Sequence, residues 1–416
     1  MNTGFPSVYL DADRCNGCTR CTQRCPTEAI RVRDGKAHIM QERCVTCGEC
    51  IRVCPAHAMK GNADRLDEVL RQHKYNVALP APSLYGQFAE LHTRTPILEG
   101  LKRIGFDDTF EVAAAAEVVS ANLHFELQYG SIPHPIITTA CPVILRLVRI
   151  RFPSLLPHLF NYRSPTEVAG RWARRLAAKK TGLAPEDIGC ILISPCPAKY
   201  ASNKGPLFIP DSSLSGVVSM EEVVPRLLPV IGSIEDKEKY AQSSAIGVKW
   251  ATSGGQAEAV QCPNHLAAAG MENIIHILEA LEDGKLSDMD LIELDACYPG
   301  CVGGSMTVEN PFIANARIRD IMQNIGPVLP SDECPIGDMR WERTPSPNPV
   351  MQLDDDIGLA MEKLEQIRAL SEELPGVDCG ACGAPSCRAY AEDVVSGRVP
   401  AGRCVLSAKE DSGSRK

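Results

Sequence analysis

The chain has 416 residues, a net charge of −9 and a hydrophobic fraction of 44%. At about 100–200 residues per domain this allows two to four domains with ordinary cores. No long basic run stands out, which argues against a nucleic-acid partner. No stretch of about 18 apolar residues occurs, which argues against a membrane span. Residues Met1 to Leu10 carry neither a basic head, nor an apolar h-region, nor a twin-Arg pair, so a cytoplasmic location is expected.

The 19 cysteines dominate the composition. In a large chain without secretory features, clustered cysteines point to metal ligation rather than disulfides. They fall into three groups. The first reads Cys15-x2-Cys18-x2-Cys21-x3-Cys25-Pro26 and returns 29 residues later as Cys44-x2-Cys47-x2-Cys50-x3-Cys54-Pro55. This internal duplication is the bacterial ferredoxin run, in which the fourth cysteine ligates the other cluster. Cys15, Cys18, Cys21 and Cys54 are therefore expected to hold one [4Fe–4S] cube, and Cys44, Cys47, Cys50 and Cys25 a second. A zinc site would use two paired Cys-x2-Cys knuckles instead. Two cubes make an electron wire, not a catalyst.

Between residues 75 and 330 the pattern is α/β. Short apolar runs predict buried strands at Val77–Leu79, Ile136–Thr138, Ile191–Ile193, Ala245–Val248 and Leu291–Leu294, with helices such as Pro165–Lys180 and Met220–Leu228 between them. Cysteine-bearing loops follow three of these strands. In α/β domains ligands gather beyond the carboxyl ends of strands, so the three loops can converge. Near the C-terminus, Gln352 to Glu373 is helical in pattern and Pro375-Gly376 ends it. The last group follows as Cys379-x2-Cys382-x4-Cys387-x16-Cys404, with Gly380, Gly383 and Pro385 among the first three cysteines. It resembles the small Fe–S domain of respiratory and corrinoid electron-transfer subunits and is expected to hold a cube; a zinc knuckle is the alternative.

The three middle segments are Thr138-Thr139-Ala140-Cys141-Pro142, Ser194-Pro195-Cys196-Pro197-Ala198-Lys199, and Glu293-Leu294-Asp295-Ala296-Cys297-Tyr298-Pro299-Gly300-Cys301-Val302-Gly303-Gly304. In this order they resemble the three H-cluster motifs of the [FeFe]-hydrogenases. Ala81-Pro82, Leu155-Leu156-Pro157, Ser164-Pro165 and Ser253-Gly254-Gly255 fit the same family. The resemblance covers roughly residues 75–330, and with its flanks the chain looks most like the sensory-type branch. It implies that Cys141, Cys196, Cys297 and Cys301 hold a [4Fe–4S] cube, with Cys301 bridging to a two-iron subcluster bearing CO, cyanide and a dithiolate amine. Lys199 matches the lysine that hydrogen-bonds the distal cyanide, and Ala81 and Pro82 match residues lining the other. The cofactors implied are thus four [4Fe–4S] clusters and the two-iron group. Cys190, Cys262 and Cys334 match no ligand position and are expected to be buried thiols.

The departures from the family pattern concern protons. Ala140 stands where the family usually has the cysteine that shuttles protons to the bridging amine. Asp295 and Ser194 stand where methionines are usual, and Ser202 where a glutamate is. The family's acidic proton path would fall near Val119 and Asn122, with Glu117 out of register. Asp295 could serve as a substitute proton group. General acid catalysis contributes about 10²–10⁴-fold, so slow, reversible hydrogen chemistry or sensing is expected, in the manner of an anaerobe's enzyme. Sensory relatives often carry a PAS domain after the last cube; here twelve residues follow Cys404, so a signal would pass to a partner.

The expected architecture is an α/β hydrogenase-like domain, residues 63–350, with an N-terminal two-cluster α+β ferredoxin, 1–62, and a linker helix and small C-terminal Fe–S domain, 351–416. Expected partners are hydrogen, protons and a redox protein (a ferredoxin or a signalling protein); the sequence is compatible with a homo-oligomer. The rival expectation is a non-catalytic electron-transfer or scaffold protein without the two-iron group.

Overall fold

The computed structural model describes residues 6–238, 242–325, 339–402 and 404–406. It forms two compact units. One contains the residues up to Lys60 together with those from Asn348 on; the other is Gly61–Pro347. The two ends of the chain thus share a unit. Among the described residues no helix is long and apolar enough to cross a membrane.

In the unit of the two ends, the duplication seen in the sequence is repeated in the backbone. Left-handed residues occur at Gly17 and Thr46, at Thr19 and Gly48, and at Glu28 and His57, each pair 29 residues apart. One-turn helices Arg20–Gln23 and Glu49–Arg52 begin at the second of these bends. The antiparallel hairpin Ile30–Arg33 with Lys36–Ile39 separates the two halves. At the C-terminal end, helix Ile357–Glu373 packs on helix Cys387–Val395. The first starts later than the apolar spacing predicts, because the Asp356 side chain caps it by accepting from the Leu359 amide, and residues 352–356 lie outside it.

The Gly61–Pro347 unit is built on two parallel sheets. Four strands run in the order Asp108–Thr109, Tyr75–Pro80, Ile188–Ser194, Gly216–Ser219, and three in the order His265–Ala269, Leu291–Asp295, Ile136–Ile137. All the pairings are parallel. The four-stranded sheet is buried on both faces, as parallel sheets with crossover helices are. Val77, Leu79, Leu192 and Val217 join a core with Trp172 and Ala169. Ala78, Ile191, Ile193 and Val218 join the opposite core with Leu98, Leu101 and Leu227. That is the two-residue alternation of a pleated strand.

One predicted strand is a helix. Ala245–Lys249 is helical because Ser244 caps it, its hydroxyl accepting from the Ile246 amide. The Glu117 carboxylate anchors the same turn, accepting from the Ser244 amide and hydroxyl and the Gly247 amide. Four apolar residues are too few to show a period, and the capping serine decided the outcome.

Candidate functional site

Each strand that precedes a cysteine loop ends at the same edge of its sheet. Ile188–Ser194 leads to Cys196, Ile136–Ile137 to Cys141, and Leu291–Asp295 to Cys297 and Cys301. Register fixes the neighbours: Ile292 lies opposite Ile137, and Ile193 opposite Pro80, so the Ala81 amide donates to the Ile193 carbonyl. The loops also bind one another. The Met306 amide donates to the Pro195 carbonyl, and the Ser253 amide to the Pro299 carbonyl. Gly300 between the two last cysteines has φ +102°, and a Cβ there would lie 2.5 Å from the Ser253 nitrogen. Only glycine fits that crossing.

The four thiols feel one another. Burial pushes the Cys301 thiol well above its ordinary value, and Asp295, Cys297, Cys196 and Cys141 add to the shift. Burial likewise raises Cys141, helped by Asp295 and Cys196 and opposed by amides of Ala296 and Val143 aimed at the sulfur. Cys141 and Cys196 each sit immediately before a helix, Pro142–Arg151 and Pro197–Lys204. Ser194, one of the departures from the family pattern, shapes the second loop: it accepts from the Cys196 amide and donates to the Cys196 carbonyl.

Lys199 and Ala140 meet. The Lys199 ammonium donates to the Ala140 carbonyl at 2.9 Å and to the Thr166 hydroxyl at 3.4 Å. Both residues line a small solvent-open cavity of about 50 Å³ whose polar wall includes Ser164, Thr166 and Ser202. Thr166 and Ser164, whose hydroxyls lie 2.9 Å apart, carried no signal as ligand-facing groups beyond the Ser164-Pro165 match. The described lining includes none of Asp295, Ala81 and Pro82. Asp295 is buried and faces Glu293, which accepts from the Gly254 and Ala257 amides at 2.8 Å. Burial and Glu293 hold Asp295 well above the usual carboxylate range, and burial raises Glu293 as well. Glu117 caps a helix, Val119 is buried in the core, and Asn122 donates to the Val118 carbonyl.

The other cysteines form three further groupings. Burial lifts Cys21 to about 11, with Cys18, Cys15 and Cys54 contributing. Burial lifts Cys47, with Cys25, Cys50 and Cys44 contributing. The fourth cysteine of each run is thus among the opposite three. The Ala29 amide donates to Cys25 Sγ and the Ala58 amide to Cys54 Sγ, both at 3.2 Å, another pair in the duplication. Cys379, Cys382, Cys387 and Cys404 line one hollow. Crowded thiols with raised pKa are poor as free groups but fit a cluster that takes them as thiolates. Cys190 and Cys262 are buried; Cys334 lies outside the described residues.

Comparison with known proteins identifies the domains. Residues 74–266 match the model of the iron only hydrogenase large subunit, C-terminal domain. Residues 7–55 match a 4Fe-4S dicluster domain and 374–406 a putative Fe-S cluster domain. The middle of the chain thus carries a domain of the iron-only hydrogenase large subunit, flanked by iron–sulfur cluster domains. It is 30% identical over 210 residues to the periplasmic [Fe] hydrogenase large subunit of Nitratidesulfovibrio vulgaris, covering 46% of this chain and 50% of that one. To iron hydrogenase 1 of Clostridium pasteurianum it is 25% identical over 376 residues, 73% of this chain and 66% of that one. The chain therefore spans about half to two-thirds of these relatives. A shorter match, 30% over 88 residues, covers 20% of this chain and 15% of a cytosolic Fe-S cluster assembly factor of Talaromyces marneffei. In fold, a solved [FeFe]-hydrogenase variant from Chlamydomonas reinhardtii superposes with a TM-score of 0.50 at 17% identity, covering 65% of this chain and 92% of that one. These matches make the protein an [FeFe]-hydrogenase-like iron–sulfur protein.

Proposed function

We propose that the Cys141, Cys196, Cys297 and Cys301 quartet holds a [4Fe–4S] cube joined through Cys301 to a two-iron group. On this reading the protein interconverts hydrogen with protons and electrons at low rate. It would pass the electrons through its other cubes to a redox or signalling partner, as a hydrogen or redox sensor. The observation that carries this reading is the cavity walled by Ala140 and Pro142, the chain neighbours of Cys141, with the Lys199 ammonium at its wall 2.9 Å from the Ala140 carbonyl. A lysine cation there would neutralise and orient an anionic ligand such as cyanide, a charge-assisted contact strengthened by burial. When bound, the two-iron group would supply the centre at which hydrogen is split and formed. Ala140 carries no proton to give or take. The protons must then use slower groups, and turnover should fall by part or all of the usual relay contribution of about 10²–10⁴-fold.

A second reading, a four-cube electron-transfer or scaffold protein without the two-iron group, is favoured by one observation. The Lys199 ammonium already has two neutral acceptors, the Ala140 carbonyl and the Thr166 hydroxyl, which hold it in place without an anion. Infrared spectroscopy of protein produced with the hydrogenase maturation enzymes separates the two. Intrinsic CO and cyanide stretches are expected; their absence from fully cube-loaded protein would leave the scaffold reading.

A further inference from the structure

The C-terminal cysteine group has no part in the hydrogen site, yet its loop is built onto the ferredoxin. The contacts are specific. The Val32 amide donates to the Gly383 carbonyl at 2.8 Å. Arg33 donates to the Cys382 carbonyl at 3.1 Å, and the Gln23 side chain to the Cys379 carbonyl at 3.4 Å. A Cβ on Gly380 would lie 3.3 Å from Gln23 Nε2 and 3.5 Å from the Thr19 hydroxyl; on Gly383 it would lie 1.9 Å from the Val32 carbonyl oxygen. Thr19 stands between Cys18 and Cys21, and Gln23 two residues after Cys21. The same hairpin borders the first cysteine loop from its other end, where the Lys36 ammonium donates to the Cys15 carbonyl. The ligand-bearing loop of the last group therefore faces the Cys15, Cys18 and Cys21 loop.

A charged clasp fixes this arrangement. Asp393, 1% exposed, accepts from Arg31 and Arg33, both at 2.7 Å, and Glu392 accepts from Arg43 at 2.5 Å. Arg31 is itself buried. Two guanidinium groups converging on one buried carboxylate bind tightly and lose much if either side is removed. A domain that swung freely on a linker would not bury such a set.

We infer that the C-terminal cube is a docked neighbour of the cube held by Cys15, Cys18, Cys21 and Cys54, and exchanges single electrons with it directly, as the outer port of the wire. This rests on each quartet holding a cube and does not need the two-iron group. The step is a one-electron transfer: one reduced cube is oxidised, its neighbour is reduced, and the electron enters from a low-potential carrier of the ferredoxin or viologen-dye class. Cys379 is exposed, which suits a port, and the Gln23 to Cys379 hydrogen bond supplies a short bonded route from Cys21.

The test uses the full-length, cube-loaded chain reduced with dithionite, read by electron paramagnetic resonance and iron content. In Cys47→Ala, which lacks the second ferredoxin cube, spin–spin broadening between two reduced cubes should remain, and adding Cys382→Ala should remove it. In Cys18→Ala the C-terminal cube should give a simple, uncoupled signal. Adding Asp393→Ala to Cys47→Ala should leave iron content unchanged and abolish the broadening, with faster proteolysis after residue 373. Gly383→Val, which collides with the Val32 carbonyl, should do the same by a route that leaves the clasp charges in place. Broadening that persists in both undocked variants, or that is lost in Cys47→Ala and kept in Cys18→Ala, overturns the inference. Iron content short by one cube in the parent instead removes the cube reading on which it rests.

Discussion

The ferredoxin module and the hydrogenase-like site reach the same kind of cysteine quartet by opposite means. In the module all eight thiols come from residues 15–54, on two copies of one tight loop. The backbone bends that shape each loop recur 29 residues apart. In the middle unit the four thiols span residues 141–301 and depend on three strands from two sheets ending side by side. A local quartet is specified by spacing and survives changes elsewhere. A quartet assembled from distant strands inherits every requirement of the core beneath it.

The largest effect that separates the two should come from Cys301→Ser. Infrared bands of the two-iron group should vanish entirely, while both ferredoxin cubes remain by iron count and spectrum. Bands at full intensity would show that Cys301 is not the bridging thiolate.

Next in size is a core change with no counterpart in the module. Arg94 and Glu111 are fully buried and 2.7 Å apart, and Tyr85 donates to the same carboxylate. Glu111→Ala strands a buried guanidinium. Removing one partner of such a pair costs about 3–5 kcal/mol, and the remaining Glu238 and Ser243 contacts place the expected loss at the lower end. Denaturant unfolding of the Gly61–Pro347 unit measures it, and the ferredoxin spectrum should not change. An unaltered midpoint would mean that the long-range quartet depends less on its core than the fold implies.

Cys15→Ala makes the reciprocal change in the local quartet. It should remove one cube, about four iron atoms, and slow electron exchange with an external dye. Redox changes confined to the hydrogen site should persist. Loss of those changes as well would mean that the module is needed to assemble the distant site.

The smallest expected effect, and the one aimed at the chemistry, is Ala140→Cys. One added heavy atom at a cavity wall strains packing little, and it restores a titratable group at the position where the family keeps one. Hydrogen evolution with reduced dye should rise, but by well under the full relay contribution of about 10²–10⁴-fold. Val119 is buried in the core and Asn122 donates to the Val118 carbonyl, so on the proposed reading neither supplies an acid to the relay. Asp295→Ala is the companion variant. If Asp295 delivers protons, activity should fall further; if its role is the internal bond to Glu293, stability should fall instead. No activity in any variant with intact CO and cyanide bands would sink the hydrogenase reading and leave a hydrogen-binding or electron-storage role.

By itself the sequence determined the cysteine groups, the duplication, strands at Val77–Leu79, Ile191–Ile193 and Leu291–Leu294, each within a longer observed strand, and helices between them. Each of these is written in short-range spacing, which reflects the local geometry of loop, strand or helix turn. It misassigned Ala245–Val248, where a capping serine and the distant Glu117 outweighed an apolar run, and it began the Ile357 helix five residues early because apolar spacing alone does not mark a cap. Only the tertiary structure decided that the Lys199 ammonium meets Ala140 and Thr166, that Asp295 turns toward Glu293 and away from the cavity, and that Asp393 clamps the last cysteine loop to Arg31 and Arg33. The Lys199 and Asp393 contacts join residues 33 to 362 positions apart, and Glu293, though two residues from Asp295, is held by the distant Gly254 and Ala257 amides. The energy of such a contact depends on burial and on which partners the fold brings within reach, and neither is a property of the residues near it in the chain.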